Sequence, residues 1–437
     1  MNENLRHIGV MIERSRSYGR QLCEGIAAYA AKHCAWRLTP LNGADIATPR
    51  ALTPFDGFIC RFLDTDVPRR FRATRKPVVD VYHDRPLKGI AAVDSDHEGI
   101  GRAAAEHFLD RRFTAFAFCG HNGSGYSDAR YRGYAETLKV AGASCLKYET
   151  PKNVRYRFDR LTIFSDPTQD EGDRENLRRW VAALPKPIAV FCSHDFRAYQ
   201  LSQACAAEGL AIPDDVAILG VDNDTLLCSF TPSPISSVDP DAPAVGYAAA
   251  ERLDRMLDGK QDDLAPRYIP CRGVVARMST EIYPLTPAWL SDALVFIRRN
   301  IGSTDLSSAQ VCRHVGLSHT VVSRHFQKVL GTTIQQEIRS TRLNLSRQLL
   351  ETEGVSPSEA ARRTGFASLQ YFSNCYTEAF GYRPSRHASG ECHGVRTEVP
   401  QRSESHTQRR SSGRLSALTP GGDHTSRRHS PGANRLS

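Results

Sequence analysis

The sequence lacks the motifs with which many enzymes hold phosphates, metal ions or nucleophiles. It has no Gly-rich loop with a Walker lysine, no GxSxG turn, no HExxH pair and no paired metal ligands. The Gly-rich stretch at 121–125 follows a predicted strand, and without the lysine we interpret it as a flexible loop. We therefore expect no enzyme activity, no cofactor and no metal site.

Long apolar runs are also missing. No stretch approaches the ~20 residues that a membrane span needs, and residues 1–20 lack the apolar centre of a secretory signal. The twelve cysteines include no CxxC pair, and several lie inside apolar runs, as Cys60, Cys119 and Cys192 do. This pattern indicates small buried side chains without a disulfide framework. We expect a cytoplasmic protein that does not contact membranes.

Positive charge is concentrated toward the C-terminus. The 437 residues exceed the usual size of one domain. Residues 285–387 hold twelve Lys and Arg against seven Asp and Glu, and residues 388–437 hold eight against four. Because the net charge of the whole chain is +9, residues 1–284 are neutral. This distribution indicates a sensing part followed by a part that binds a polyanion.

Apolar runs and amphipathic stretches alternate through residues 1–275. Predicted strands lie at 7–12, 57–62, 77–82, 115–119, 188–192 and 216–221. Predicted helices lie at 19–32, 98–110, 129–141, 171–184, 196–208 and 245–257. Repeated strand-then-helix units are typical of parallel sheets covered by helices on both faces. We predict an α/β domain of two lobes, with a ligand cleft at the carboxyl ends of the strands.

Composition changes mark the remaining domains. Residues 1–280 form the predicted sensing domain, and residues 281–287, with two prolines, form the predicted linker. Only helical patterns follow at 288–387, which predicts an all-α domain. Residues 388–437 have few large apolar residues and are expected to be a disordered basic tail.

The all-α domain contains one pattern twice, about fifty residues apart. Each copy has a small residue, a glycine four positions later, a serine, and a helix with an aromatic residue near its end. The small residue lets two helices approach, the glycine allows a sharp turn, and the serine caps the second helix. These positions are Cys312, Gly316, Ser318 and Phe326 in the first copy, and Ala361, Gly365, Ser368 and Tyr376 in the second. The pattern predicts two helix-turn-helix modules.

The second helix of each module, at 318–328 and 368–379, is expected to enter a major groove of DNA. An apolar stripe at 332–352 predicts one long helix that fixes the spacing between the modules. The segments at 316–318, 323–326, 342–350, 365–366, 371–373 and 380–384 resemble those of AraC-family regulators. The expected DNA contacts are Ser318, His319, Thr320, Ser323, Arg324 and Gln327 in the first module, and Ser368, Gln370, Tyr371 and Asn374 in the second.

Two departures from the AraC pattern concern the second module. Asn374 and Thr377 stand where the family usually has basic residues, so we expect this module to hold DNA less strongly. His387 and Ala388 replace the family's last aromatic residue and arginine.

The segments at 18–25, 116–120 and 218–224 resemble the sugar-binding core of LacI-type regulators and periplasmic binding proteins. Together with the AraC-type part, including 368–372, this arrangement resembles the xylose-operon regulators. The resemblance implies a homodimeric activator that works with RNA polymerase and responds to xylose or another monosaccharide. It also implies a set of ligand contacts: Ser17, Tyr18, Asp96, Arg130, His194, Asp195, Asp222 and Asp239.

These residue types suit a sugar, because carboxylates accept hydroxyl hydrogen bonds, arginine donates them, and an aromatic ring covers an apolar sugar face. An aspartate between a strand and a helix is also a common helix cap, and for Asp96 and Asp195 both interpretations stay open. Three other functions were weighed: a DNA-binding regulator of a non-sugar metabolite, a sugar-active enzyme with a DNA-binding tail, and a free binding protein for uptake.

Overall fold

Two α/β lobes and a helical domain make up the part of the chain that the computed structural model describes, residues 5–42, 45–46, 48–62, 67–82, 87–121, 124–149 and 171–385. Asn122 and Gly123 of the Gly-rich stretch, and the predicted tail at 388–437, lie outside these residues. None of the described helices is both long and apolar enough to cross a bilayer.

Parallel strands form the first sheet, and its inner strands are apolar and buried, as expected for parallel strands covered by helices. Its members are β1 (Arg6–Met11), β2 (Trp36–Pro40), β3 (Gly57–Cys60), β4 (Val78–Asp80), β5 (Ala91–Ser95) and β11 (Arg267–Ile269). They lie in the order β2-β1-β3-β4-β5-β11 and pair in parallel throughout.

The second sheet repeats this arrangement. Its members are β6 (Phe116–Cys119), β7 (Cys145–Lys147), β8 (Ile188–Cys192), β9 (Val216–Val221), β10 (Ser236–Asp239) and β12 (Gly273–Val275). They lie in the order β7-β6-β8-β9-β10-β12, and only the edge strand β12 is antiparallel. The predicted bounds of β8 and β9 are confirmed. Six strands are absent from the prediction: β2, β5, β7, β10, β11 and β12. Of these, β2, β7, β11 and β12 leave much of their surface exposed, whereas β5 and β10 are short buried runs that contain serine and aspartate.

Eight helices accompany the sheets in the described part of the lobes. They are α1 (Ser17–His33), α2 (Val67–Ala73), α3 (His97–Leu109), α4 (Gly125–Val140), α5 (Glu171–Ala183), α6 (Asp195–Ala207), α7 (Thr225–Ser229) and α8 (Ala242–Leu257). The six predicted helices are present with small shifts at their ends, whereas the short α2 and α7 were not predicted. Helices α1 and α8 pack in the core of the first lobe, and α3 packs with α4 in the second.

The chain passes between the lobes three times. It leaves β5 of the first sheet for α3, which packs in the second lobe, and leaves β10 of the second sheet for α8, which packs in the first. The third passage joins β11 to β12. Each of the first two passages begins at the carboxyl end of a parallel strand, so both lie beside the space between the lobes.

The helical domain consists of α9 (Ala288–Arg299), α10 (Ser308–His314), α11 (His319–His325), α12 (Ile334–Thr352), α13 (Pro357–Arg363) and α14 (Leu369–Phe380). A π-helical turn at Phe326–Leu330 extends α11. The long connecting helix predicted at 332–352 is α12, and its N-terminus is fixed by a capping box between Thr333 and Gln336. The residues at 281–287 form no helix or strand, and Tyr283 is buried in the core of the helical domain.

Candidate ligand cleft and DNA-binding surface

A cleft lined by charged side chains, histidines and tyrosines lies between the two lobes. Its wall is built by side chains that follow the carboxyl ends of strands in both sheets, where parallel α/β sheets bind ligands. The first lobe contributes Glu13, Arg16, Tyr18, Arg61, Tyr82 and Asp94, and the second contributes His97, Tyr126, Arg130, His194 and Asp222. The cleft therefore combines ionic groups with three tyrosine rings, a composition suited to a small polar ligand with apolar faces.

Arg130 and Asp222 face each other on the second lobe. The Arg130 guanidinium is buried and donates to the Ser193 carbonyl, and its Nη2 lies 4.0 Å from Oδ1 of Asp222. In the described part of the chain its Nε has no hydrogen-bond partner. Burial raises the pKa of Asp222, and the positive charge of Arg130 opposes this rise. An unsatisfied buried donor beside a carboxylate indicates a place where a polar ligand completes the hydrogen bonds.

Asp222 is held in a strained backbone conformation. Its φ is +108°, and the next residue, Asn223, has a φ of +49°. Residues in such conformations persist only where their surroundings hold them, and they cluster at functional sites. The surroundings are visible here, because the Asn223 N–H donates to the Ser237 hydroxyl at 2.9 Å and the Asp224 N–H donates to the Asp195 carboxylate at 2.7 Å.

Four of the eight sequence-predicted ligand residues line the cleft: Tyr18, Arg130, His194 and Asp222. Ser17 is buried at the first position of α1, next to the lining residue Tyr18. Asp96 caps α3, because its carboxylate accepts the Gly99 N–H at 2.9 Å, and it lines a groove that adjoins the cleft.

Asp195 and Asp239 lie in the framework behind the cleft wall. Asp195 is fully buried and accepts the Ser237 hydroxyl at 2.6 Å in addition to the Asp224 N–H. Asp239 accepts the Asp241 N–H at 2.9 Å and the Asn223 side-chain amide at 3.3 Å. Both carboxylates thus support the backbone turn that carries Asp222.

Seven lining residues were missed by the sequence reasoning. They are Glu13, Arg16, Arg61, Tyr82, Asp94, His97 and Tyr126. A usable signal was present for three of them, since Arg61 comes directly after β3, Tyr82 follows β4 by two residues and Asp94 is the penultimate residue of β5. Polar and aromatic residues at the end of every strand should have been candidates.

Two buried histidines form a hydrogen-bonded pair at the wall of the cleft. The Nε2 atoms of His121 and His194 are 3.0 Å apart, and Nδ1 of His194 accepts the Arg197 N–H at 3.0 Å. The proton of His194 is therefore on Nε2, which donates to His121. Burial is the main cause that lowers the pKa of both rings, and nearby arginines lower it further. Both imidazoles are thus neutral in the folded protein.

The predicted DNA contacts lie on the exposed faces of α11, its extension and α14. All ten are exposed except Ser323, which is half-buried. The turn glycines Gly316 and Gly365 have φ values of +68° and +73°, which confirms the predicted turns. Ser368 caps α14 by accepting the Tyr371 N–H at 3.1 Å, whereas the Ser318 side chain makes no capping hydrogen bond, so that half of the capping prediction is wrong.

The two modules differ in charge as the sequence indicates. The first recognition helix and its extension carry Arg324 and Lys328, both exposed. Helix α14 carries neither Lys nor Arg and presents the exposed Glu378. Since phosphate contacts supply most of the affinity for DNA, the first module has the stronger electrostatic attraction.

The histidine pair makes stability depend on pH. A histidine whose pKa is lower when folded than when unfolded binds more protons in the unfolded state, so stability falls as pH drops below the unfolded value of about 6.5. We expect the two histidines to contribute a decrease in the free energy of unfolding from pH 7.5 to 5.5, and His121→Gln to change the slope by up to about 1.4 kcal/mol per pH unit. Urea denaturation at a series of pH values measures it.

The control for this pH dependence is His33→Gln, at an exposed position in the first lobe. We expect this variant to keep the wild-type slope. An identical slope in wild type and His121→Gln would contradict the assignment of a neutral buried pair.

Comparison with known proteins agrees with the two-part architecture. Residues 105–280 match a family model described as a periplasmic binding protein-like domain, and residues 311–389 match one described as a helix-turn-helix domain. A xylose operon regulatory protein of Haemophilus influenzae is 24% identical over 398 residues, covering 88% of this chain and 98% of the relative. Its counterpart from Escherichia coli K12 is 26% identical over 390 residues, covering 87% and 97%.

A solved structure of a xylose-binding transcription activator matches the fold with a TM-score of 0.55 and 23% identity, over 89% of this chain and 99% of that one. The predicted fold class is thereby confirmed. These relatives are transcription regulators, which also confirms the prediction of a regulator and not an enzyme. The full-length relatives and the two domain matches identify the chain as a transcription regulator in which a periplasmic-binding-protein-like domain precedes a helix-turn-helix domain.

Proposed function

We propose that this regulator binds a monosaccharide between its lobes and thereby changes how a homodimer binds DNA and activates RNA polymerase in the cytoplasm. Residues 1–280 are the sensing domain, 281–287 the linker and 288–387 the DNA-binding domain. The observation that carries the proposal is the cleft itself, in which unsatisfied buried polar atoms and tyrosine rings from both lobes surround one small volume.

Four side chains of the cleft have roles that a sugar would use. Asp222 accepts two sugar hydroxyls, and Arg130 donates from its free Nε. Tyr18 and Tyr126 cover apolar faces of the ring. Ser17, Asp96, Asp195 and Asp239 act from behind or beside this wall, by holding the turns on which the contacting residues lie. Relatives named as xylose operon regulatory proteins make xylose the first sugar to test.

Helix α3 supplies a physical route from the cleft to the DNA-binding domain. Its N-terminal residue, His97, lines the cleft. At the other end, His107 hydrogen-bonds the Thr280 hydroxyl at 2.9 Å, and Arg111 donates to the Thr280 carbonyl at 2.9 Å. Both contacts are buried and lie directly before the linker, so a movement of α3 is transmitted to the start of the DNA-binding domain.

A direct ion pair extends this route. Arg112, just after α3, lies 3.3 Å from Glu337 in the first turns of α12. Helix α12 connects the two helix-turn-helix modules, so its position sets their spacing on DNA. A ligand that binds more tightly to one arrangement of the lobes would shift the population of DNA-competent molecules.

Asp222→Asn tests the sugar site. We expect the affinity for the preferred monosaccharide to fall about 10- to 100-fold, because one charged acceptor becomes a donor. Asparagine tolerates a positive φ, so the strained turn is kept. Isothermal titration calorimetry with a panel of pentoses and hexoses measures the change. The matched control is Asp263→Asn, because Asp263 is exposed and does not line the cleft.

The absence of binding by every monosaccharide in this panel would contradict the sugar proposal. Binding of a non-sugar metabolite in the same cleft would then favour the second candidate, a regulator of the same architecture with a different effector.

Arg324→Ala tests the first recognition helix. The DNA is an operator selected from random sequences by the wild-type protein. We expect the binding free energy to weaken by about 1–3 kcal/mol, and the slope of log affinity against log salt concentration to decrease by about 1. Electrophoretic titration at several salt concentrations gives both quantities. Arg267→Ala removes an exposed arginine of the sensing domain and should leave both unchanged. Unchanged binding by Arg324→Ala would show that this helix does not hold DNA as proposed.

A further inference from the structure

We propose that the cleft selects a monosaccharide that carries a carboxylate, such as a uronate or an aldonate, and that Arg61, assisted by Arg16, binds this carboxylate. This inference rests on the proposed function of the cleft as a sugar site and narrows its ligand class. It is carried by a difference in pairing: Glu13 and Asp94 accept hydrogen bonds from the protein, whereas Arg16 and Arg61 have no direct ion-pair partner among the described residues.

Arg61 has no direct ion-pair partner among the described residues, although the negative charges of Glu13 and Asp94 act on it from farther away. Its guanidinium lies 5.2 Å from the Tyr18 ring centroid and 5.3 Å from that of Tyr82. These two ring contacts restrict the plane of the guanidinium. Among the described residues, its buried Nε has no hydrogen-bond partner and no carboxylate lies within 4.0 Å of its nitrogens. The edge of the fork is therefore available to a ligand in the cleft that Arg61 lines.

The second arginine, Arg16, lies two residues before Tyr18. Its guanidinium carbon lies 5.2 Å from the Phe196 ring centroid, so it reaches toward the second lobe. In the described part of the chain it forms no ion pair within 4.0 Å. Arg130 differs from both, because it is tied to the Ser193 carbonyl and lies near Asp222.

The acidic residues of the cleft are turned toward protein donors. The Glu13 carboxylate accepts the Ser15 hydroxyl and the Arg16 N–H, the latter at 3.1 Å. Asp94 accepts the Ser95 N–H at 2.8 Å and lies 3.3 Å from Nε2 of His97. The cleft thus has as many carboxylates as arginines. The carboxylates of Glu13 and Asp94, however, are already hydrogen-bonded to the protein.

A neutral sugar would leave both guanidiniums without a direct ion-pair partner, because Glu13 and Asp94 accept hydrogen bonds from the protein instead. A carboxylate accepts two parallel hydrogen bonds from one guanidinium fork, and this geometry suits the single available edge of Arg61. The hydroxyls of the same ligand then meet Asp222 and Arg130. A sugar phosphate would bring a second negative charge beside Glu13, Asp94 and Asp222, so the structure favours the carboxylate.

Matched pairs of ligands test the inference on the full chain. Isothermal titration calorimetry would compare glucose with glucuronate, galactose with galacturonate, and xylose with xylonate. The phosphate ester of each sugar would be titrated as a third ligand. We expect one acid to bind at least tenfold more tightly than its neutral partner, with an affinity that falls as salt rises.

Arg61→Met keeps the length of the side chain and removes its charge. We expect it to lower the affinity for the acid at least tenfold and to change that for the neutral partner less than threefold. Arg61→Lys should keep part of the preference, and Arg14→Met, an exposed neighbour of the cleft segment, should keep all of it. If Arg61→Met does not fold, as its thermal unfolding would show, Arg16→Met provides the same comparison.

The outcomes separate this inference from the proposed function. Equal or tighter binding of a neutral sugar by the wild type would overturn the carboxylate preference and leave the sugar site intact. Tighter binding of a sugar phosphate would also overturn it, as would an acid preference that survives in both Arg61→Met and Arg16→Met. No binding by any sugar, acid or phosphate would overturn both proposals.

Discussion

The chain passes between two parallel sheets at the carboxyl ends of their strands, and the functional features depend on where these passages lie. Parallel strands end at one edge of a sheet, so the residues that follow them are brought together although they are distant in sequence. Arg61 after β3 and Asp222 after β9 meet in one cleft for this reason. The first passage, from β5 into α3, also places a cleft residue at the beginning of the helix that reaches the DNA-binding domain.

Hydrogen bonds between buried polar groups fix the turn at Asp222 and the far end of α3 in addition to apolar packing. The strained turn at Asp222 is held by Asp195 and Ser237, which lie 42 residues apart and bond to each other at 2.6 Å. At the far end of α3, Arg111 is fully buried, and burial lowers its pKa to about 9. Its charge is distributed over the His107 and Thr280 carbonyls and the His107 ring. Losing one partner would leave a buried charge unsatisfied, so such networks resist small displacements.

Much of the fold could be predicted because its signals are local. Strands β8 and β9 are uninterrupted apolar runs, and Gly316 and Gly365 mark two turns within one repeated pattern. The site was predicted only in part, because its geometry is not local. Asp195 and Asp222 both follow a buried strand, yet one supports the wall and the other forms it. Which role each takes depends on Ser237 and Arg130, contacts that no spacing in the sequence reveals.

Reciprocity between the two binding events tests the central claim most directly, since a ligand that changes affinity for DNA must have its own affinity changed by DNA by the same factor. The measurement is calorimetric titration of the preferred ligand into the wild-type protein, alone and saturated with its selected operator. We expect the two dissociation constants to differ by at least about fivefold, with an equal factor in the operator titration with and without ligand. Equal ligand affinities in the two titrations would contradict a cleft that controls DNA binding.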